Sequence, residues 1–540
     1  MAPVYPQSLL ASLEADAEVP AFEQGSRIVT RGEILHLIAC NVGGLRSAVH
    51  SEDLKLGTGI AIATGVTPEG FAIQIAAHVL GLRIVVLKPG LPADQLPYFL
   101  TDVSILVVDE TAGPDLLTGC GLKPLRLTDL CGEPVELVSQ GQLESVAVVV
   151  YTSGSTGVPK GVECTYKAMT EMWAWQRDSW NADTERLASR YSRFMLFGTL
   201  ASAVMWEHLG LCLIGGGTAV IPSMPMIFPQ ILVELRISAV LCTVPRLYGM
   251  LDAIRSNPVD LSNLQSIIIA GSPLPPHRLR AAMECFGDAA HQAYGTTETG
   301  KLCLLTATDL AAHPDAVTSV GRAFSGAELV VRDDNGNPVA DGIVGHVWAR
   351  TPGQFRGYTN EDSSDMLDAD GWVWTKDLGS LDTHGFLHLV GRSRDVIIIN
   401  AIVYYAAAIE SALVSHPDVD AAYVVGVPDE KTGETARAFI VAVDDRGPHV
   451  DYDALRMLVE TKLGPAAVPT KITVVDSIPT LPSGKPDKQA LLDKEDLQRG
   501  SAELKSSQAS PILGLRSLYS ILGDLYSRLV SLVTRLTGFI

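Results

Sequence analysis

Residues 151–161 read Tyr-Thr-Ser-Gly-Ser-Thr-Gly-Val-Pro-Lys-Gly and follow the apolar run 146–150 directly. Gly154 and Gly157 permit a tight turn in which backbone N–H groups converge on an anion without Cβ obstruction. Thr152, Ser153, Ser155 and Thr156 add hydroxyl donors, and Lys160 adds a positive charge. This is chemistry for cradling phosphate. It differs from the Gly-x4-Gly-Lys-Ser/Thr loop, because Pro159 precedes the lysine and Gly161 follows it. A plain Ser/Gly-rich surface loop is the alternative. So many donors packed between a buried strand and an expected helix argue against it.

The elements around this loop must hold it still. From about residue 58, short apolar runs alternate with helical spacing: strands at 59–65, 83–87 and 104–109, helices at 69–81 and 93–100. The rhythm resumes with strands at 239–243 and 266–270 and helices at 245–255 and 274–286. Unbroken apolar strands separated by helices predict parallel sheets covered on both faces. After about residue 308 the texture becomes antiparallel and barrel-like, with strands at 328–332, 345–350, 372–375 and 386–390 between Asn/Asp/Gly turns. A compact α+β piece follows residue 395: strands at 396–399, 421–427, 436–443 and 472–476, helices at 406–415 and 452–463. The expected organisation is a large domain over 1–394, a small domain over 395–500, and a tail over 501–540. In the tail, leucines recur every three or four residues, giving an amphipathic helix. That helix is expected to dock on the protein's own body or a second subunit, as in a homodimer, ahead of a membrane surface.

Composition narrows the class. The 540 residues are 47% hydrophobic and 19% charged, which is globular. With 41 basic against 61 acidic side chains the net charge is −20, which disfavours nucleic-acid binding. The eight cysteines are scattered without a Cys-x-x-Cys pair, as in a cytoplasmic enzyme with reduced thiols. The N-terminus carries Glu14, Asp16 and Glu18 and no basic stretch, unlike a secretory signal. The uncharged segment 209–215 continues to residue 233 but is interrupted by Gly215–Gly217, Pro222, Pro225 and Pro229; it reads as a buried strand and loop rather than a span.

Taken together, Thr-Ser-Gly-Ser-Thr-Gly-x-Pro-Lys-Gly resembles the phosphate loop of the acyl-adenylate-forming superfamily, which includes acyl-CoA synthetases, nonribosomal-peptide adenylation domains and luciferases. Three further motifs resemble that family in order and spacing: Tyr-Gly-Thr-Thr-Glu at 294–298, Trp-Thr-Lys-Asp-Leu-Gly at 374–379 with Gly-Arg-Ser-Arg-Asp at 391–395, and Pro-Ser-Gly-Lys-Pro at 482–486. The likeness covers roughly residues 20–495. It implies an α/β fold of parallel sheets plus a small β-barrel, followed by a small mobile α+β domain. It implies that Thr152 through Gly157 and Lys160 hold phosphates, with Gly271 and Gly295 at the nucleotide. It implies that Tyr294 stacks on adenine, Thr297 contacts the α-phosphate, and Glu298, with Thr152, serves Mg²⁺. Asp377 then accepts from the ribose hydroxyls, Arg392 contacts the nucleotide, and Asp395 is the hinge. The same resemblance implies that Lys485 is the catalytic lysine that bonds the acid's carboxylate and the α-phosphate.

The implied function is ATP- and Mg²⁺-dependent activation of a carboxylic acid to an acyl-AMP, followed by acyl transfer. CoA is the expected acceptor, an amine the close alternative, and a carrier-protein thiol the third. A non-catalytic nucleotide binder is the remaining class. Two departures bear on substrates. Segment 197–204 lacks the acidic residue that holds an amino acid's ammonium, and Leu200 or Ala201 stands where many CoA ligases have a gating histidine, with His208 offset. A dry pocket for an apolar or aryl acid is therefore expected. After the hinge, Asn400 and Ala401 replace the family's usual glycine, and Ala406 its usual proline. A methyl there tightens the path of a pantetheine arm.

Overall fold

The computed structural model describes residues 3–50, 53–88, 90–152, 159–359, 361–393, 395–443, 450–479, 487 and 490–493. Ser153, Gly154, Ser155, Thr156 and Gly157, the Lys485 loop and the tail 501–540 lie outside them. The chain divides into two units, Met1–Ile397 with Ile402–Ser411, and Ile398–Ala401 with the chain from Ala412 onward.

Two large sheets build the first unit. The seven-stranded sheet runs Gly357–Thr359, Lys160–Thr165, Val146–Thr152, Arg83–Val86, Gly59–Ala63, Val103–Val108, Pro124–Arg126. Its last five strands are parallel. Gly59–Ala63 is buried along its whole length, as a strand covered on both faces must be. The helix that follows, Pro68–Val79, starts where Thr67 accepts a hydrogen bond from the Gly70 N–H and Pro68 pre-sets φ. The nine-stranded sheet runs Arg322–Ala323, Gly300–Thr306, Ala290–Thr296, Ser266–Ala270, Ala239–Thr243, Arg193–Met195, Thr218–Ile221, Pro20–Gln24, Arg27–Thr30. One large apolar core fills the space around them, with Trp175, Tyr166, Phe71 and Phe194 among its buried side chains. The antiparallel texture after residue 308 is a four-stranded sheet: Glu328–Arg332, Gly345–Arg350, Val373–Leu381, Leu387–Arg392.

The second unit centres on a long antiparallel hairpin, Val419–Asp429 with Gly433–Ala442, and Lys471–Val474 lies parallel to its second strand. The Asp429 carboxylate closes the hairpin turn by accepting from the Lys431 and Thr432 N–H groups. Asp451 caps helix Tyr452–Leu463 in the same way, accepting from the Asp453 and Ala454 N–H groups.

Two local expectations change. No helix follows the phosphate loop directly: Lys160–Thr165 is a strand, in antiparallel register with Val146–Thr152, and the helix Tyr166–Glu171 comes after it. The loop is thus the connection of a β-hairpin, which brings Thr152 opposite Lys160. Segment 209–233 begins with the second half of helix Ala203–Ile214, and only Thr218–Ile221 is strand. That helix is buried from Met205 to Ile214, so it lacks the polar face that would show a helical period in sequence. Among the described residues no helix is long and apolar enough to cross a membrane.

Candidate active site

Thr152, Gly271, Thr297 and Glu298 lie at or just past the carboxyl ends of strands in the two large sheets, where open α/β sheets bind their ligands. Val146–Thr152 delivers Thr152, Ser266–Ala270 leads into Gly271, and Ala290–Thr296 leads into Thr297 and Glu298. Gly271 has φ +96, a conformation that favours glycine. Thr297 and Glu298 form the tip of a hairpin turn whose flanking residues, Thr296 and Gly300, are paired. Gly295 must be glycine for a different reason: a Cβ there would lie 2.2 Å from the Gly300 carbonyl oxygen.

Three of the predicted nucleotide contacts form one bonded group. Tyr294 Oη donates to Asp377 Oδ2 at 2.5 Å, and Arg392 Nε reaches Asp377 Oδ1 at 2.9 Å. Asp377 and Arg392 are cross-strand partners on Val373–Leu381 and Leu387–Arg392, so the ladder itself sets their pairing. Asp377 is only 5% exposed, and the preceding Lys376 has φ +62, a left-handed residue inside a strand. Burial first, and then the Asp377 carboxylate, hold the Tyr294 phenol well above its ordinary value, so it remains a donor.

A second group forms around Glu298. Tyr358 Oη donates to Glu298 Oε1 at 2.7 Å, and the Phe355 N–H donates to the Glu298 carbonyl at 2.7 Å. Tyr358 sits on Gly357–Thr359, the edge strand paired with Lys160–Thr165. Lys160 Nζ lies 5.4 Å from the centre of the Tyr358 ring and 2.5 Å from Glu361 Oε1. Tyr358 therefore ties the exit of the phosphate loop, in one sheet, to the Glu298 turn of the other. Sequence reasoning passed over both Tyr358 and Glu361. The only signal was a short Gly-Tyr-Thr run after a Pro-Gly turn.

Glu298 fits a magnesium ion that arrives on a triphosphate. Among the described residues no cluster of three or more metal-ligating side chains occurs. A single carboxylate, with phosphate oxygens and water completing the shell, is how such an ion is commonly held.

Next to the Glu298 turn, Thr299, Gly300 and Lys301 line a small cavity together with Trp173, Glu207 and Ser325. Lys301 and Glu207 are 7% and 4% exposed. Segment 197–204, from which a dry acid pocket is expected, contributes no residue to this cavity. The acidic side chain comes from one turn further along helix Ala203–Ile214, and the basic one from strand Gly300–Thr306. Ala201 is half-buried and Leu200 buried. His208 is wholly buried, with Nδ1 2.5 Å from the Tyr191 hydroxyl, and is packed into the core rather than lining this cavity.

Comparison with known proteins identifies the family. The model of the AMP-binding enzyme family matches residues 18–359, and that of the AMP-binding enzyme C-terminal domain matches residues 408–485. A medium/long-chain-fatty-acid–CoA ligase of Mycobacterium tuberculosis is 28% identical over 89% of this chain and 88% of its own. A feruloyl-CoA synthase of an Amycolatopsis species is 28% identical over 86% of this chain and 94% of its own. Among solved structures, an amide bond synthetase from Marinactinospora thermotolerans is 30% identical, with a TM-score of 0.78 over 89% of this chain and 98% of that one.

Proposed function

The chain belongs to the AMP-binding enzyme family and is an adenylate-forming ligase, and from that premise we propose that it uses ATP to activate an aryl carboxylic acid and passes the acyl group to an amine. The observation that carries the adenylation step is two groups of contacts, the bonded Tyr294–Asp377–Arg392 set and Glu298 bonded to Tyr358, whose ring lies under the Lys160 ammonium.

In the first half-reaction a carboxylate oxygen attacks the α-phosphorus, the bond to the β-phosphate bridge breaks, and pyrophosphate leaves. Two anions meet, so catalysis is positioning plus fixed positive charge. Asp377, held by Tyr294 and Arg392, accepts from the ribose hydroxyls. Thr152 and Lys160 flank the phosphates, joined by the loop residues Ser153 to Gly157. Thr297 donates to the α-phosphate, and Glu298 would hold a magnesium ion, which when bound would offset charge on the departing pyrophosphate. Lys485, outside the described residues, enters on the family resemblance as a further fixed charge. In the second half-reaction the amine nitrogen attacks the acyl carbon, the carbon–oxygen bond to AMP breaks, and the amine loses a proton.

The acceptor reading turns on Asn400 and Ala401, with φ +54 and +63. The backbone keeps the left-handed form that glycine would take, yet adds two side chains where the family's pantetheine arm passes. The likeness to an amide bond synthetase supports an amine on the same side. CoA is the second reading, favoured by the CoA ligases among the relatives. Mass analysis of products distinguishes them. With ATP and an aryl acid, acyl-AMP is expected; adding an amine should convert it to the amide faster than adding CoA gives the thioester. Faster thioester formation would install the CoA reading.

A further inference from the structure

Helix Arg31–Ala48 carries His36, Cys40, Gly43 and Gly44, spaced so that they share one face. Segment 130–133 lies across that face, backbone against backbone. The Gly132 N–H donates to the Cys40 carbonyl at 3.1 Å. A Cβ on Gly43 would sit 2.1 Å from the Glu133 carbonyl oxygen, and one on Gly44 1.9 Å from that of Leu130. One on Gly132 would sit 2.5 Å from the Gly44 nitrogen. Three glycines thus bring Cys131 beside Cys40, although the two are far apart in sequence. The backbone bond next to Cys131 keeps the two Cα atoms near the separation that a disulfide spans, roughly 4.4–6.8 Å.

The two thiols differ. Cys40 is 4% exposed, whereas Cys131 is open to solvent. Helical side chains lean towards the helix N-terminus, which aims the Cys40 sulfur at the preceding turn. There Cys40 Sγ lies 3.5 Å from His36 Nε2. The Cys131 thiol also reaches it: burial first, then Cys131 and after it Glu133, push the Cys40 thiol up. Cys40 therefore stays protonated at neutral pH until a base takes its proton, and His36 is the base within reach.

We propose that Cys40 and Cys131 form an oxidation site: a peroxide converts the exposed Cys131 to a sulfenic acid, and Cys40 captures it as a reversible disulfide that pins segment 130–133 to the helix. In the first step the Cys131 thiolate attacks a peroxide oxygen, the O–O bond breaks, and the departing hydroxide takes up a proton as water. In the second, the Cys40 sulfur attacks the Cys131 sulfur and its proton passes to His36 Nε2. The S–S bond forms, the S–O bond breaks, and the hydroxide collects that proton and leaves as a second water. Both sulfurs are oxidised and the peroxide is reduced. Segment 130–133 belongs to the connection between Pro124–Arg126 and Val146–Thr152, the strand that delivers Thr152. The site is independent of the adenylation reading.

The test treats the full chain with hydrogen peroxide in stoichiometric steps, then counts thiols and maps peptides by mass spectrometry under denaturing, non-reducing conditions. Two of the eight thiols should disappear first, with residues 40 and 131 linked within one chain, and dithiothreitol should restore both. Cys131→Ser, a change at an exposed position, should leave Cys40 a free thiol at the same dose. His36→Asn should slow closure of the bond roughly tenfold or more, so that the Cys131 sulfenic acid persists and is trapped by dimedone. Oxidation should raise the Tm of the unmodified chain by about 5 °C, as closing a long loop does, and leave that of Cys131→Ser unchanged. The proposal is overturned if Cys131 advances to a sulfinic acid while Cys40 stays free, or if other cysteines are consumed first. Closure at full speed in His36→Asn would overturn the part given to His36, and a Tm unmoved by the bond would overturn the pinning.

Discussion

Asp377 carries more of the site than any other described residue, because it accepts from Tyr294 and pairs with Arg392 at once. Asp377→Asn keeps the size but removes the charge that orders both partners. The expected loss is about 10²-fold in kcat/KM for ATP, since bonds to charged groups are each worth roughly 1.5–3 kcal/mol. Steady-state kinetics with varied ATP checks it; a loss confined to the acid's KM would mean that Asp377 serves the other substrate. Tyr358→Phe removes one hydroxyl from Glu298 and should act more mildly, roughly three- to tenfold. Its effect should appear as a higher magnesium requirement, read by titrating Mg²⁺ at fixed ATP. An unchanged magnesium curve would detach Tyr358 from the metal site. Asp377 was legible in sequence because its motif is long. Tyr358, Glu207 and Lys301 were not. Each is placed by strand pairing or helix packing with residues far from its own segment, and a short Gly-Tyr-Thr run or a lone Lys carries no period or spacing that would reveal the contact.

At the level of elements, the turn at Asn400 and Ala401 is the feature most open to test. An alanine in the left-handed region costs about 1–2 kcal/mol relative to glycine, and asparagine less. Ala401→Gly with Asn400→Gly should therefore leave folding intact or slightly improved. CoA-dependent turnover should rise roughly tenfold, because a methyl at a close contact can cost one to a few kcal/mol. Amide formation should be indifferent. Parallel assays with CoA and an amine read this out; a glycine variant no better with CoA would show that the turn does not gate the thiol. The strand rhythm was readable from sequence where strands are unbroken apolar runs, as at Ser266–Ala270. It misled where burial erases the pattern. Helix Ala203–Ile214 has no exposed face after Val204, and strand Lys160–Thr165 is short and half polar, so each was read as something else.

Across the whole molecule, the acidic chain encloses histidines that cannot easily charge. His78 and His291 are buried, and burial lowers each from an ordinary 6.5 to about 3. Below pH 6.5 the unfolded chain takes up protons that the folded first unit refuses, so stability falls as pH drops from about 6.5 towards 3. At pH 5 each residue should account for about 2 kcal/mol. The Tm of the first unit should therefore decline between pH 7 and pH 5, with Glu207, whose carboxyl burial pushes up, opposing part of the fall. A Tm flat down to pH 4 would contradict this. The central claim, that the chain makes an acyl-adenylate, is tested most directly by exchange of labelled pyrophosphate into ATP with an aryl acid present and no acceptor. Exchange should depend on the acid and on Mg²⁺, and Lys485→Ala should reduce it by about 10²–10³. A folded, ATP-binding protein that shows no exchange across a panel of aryl acids, or whose exchange survives Lys485→Ala unchanged, would contradict the account.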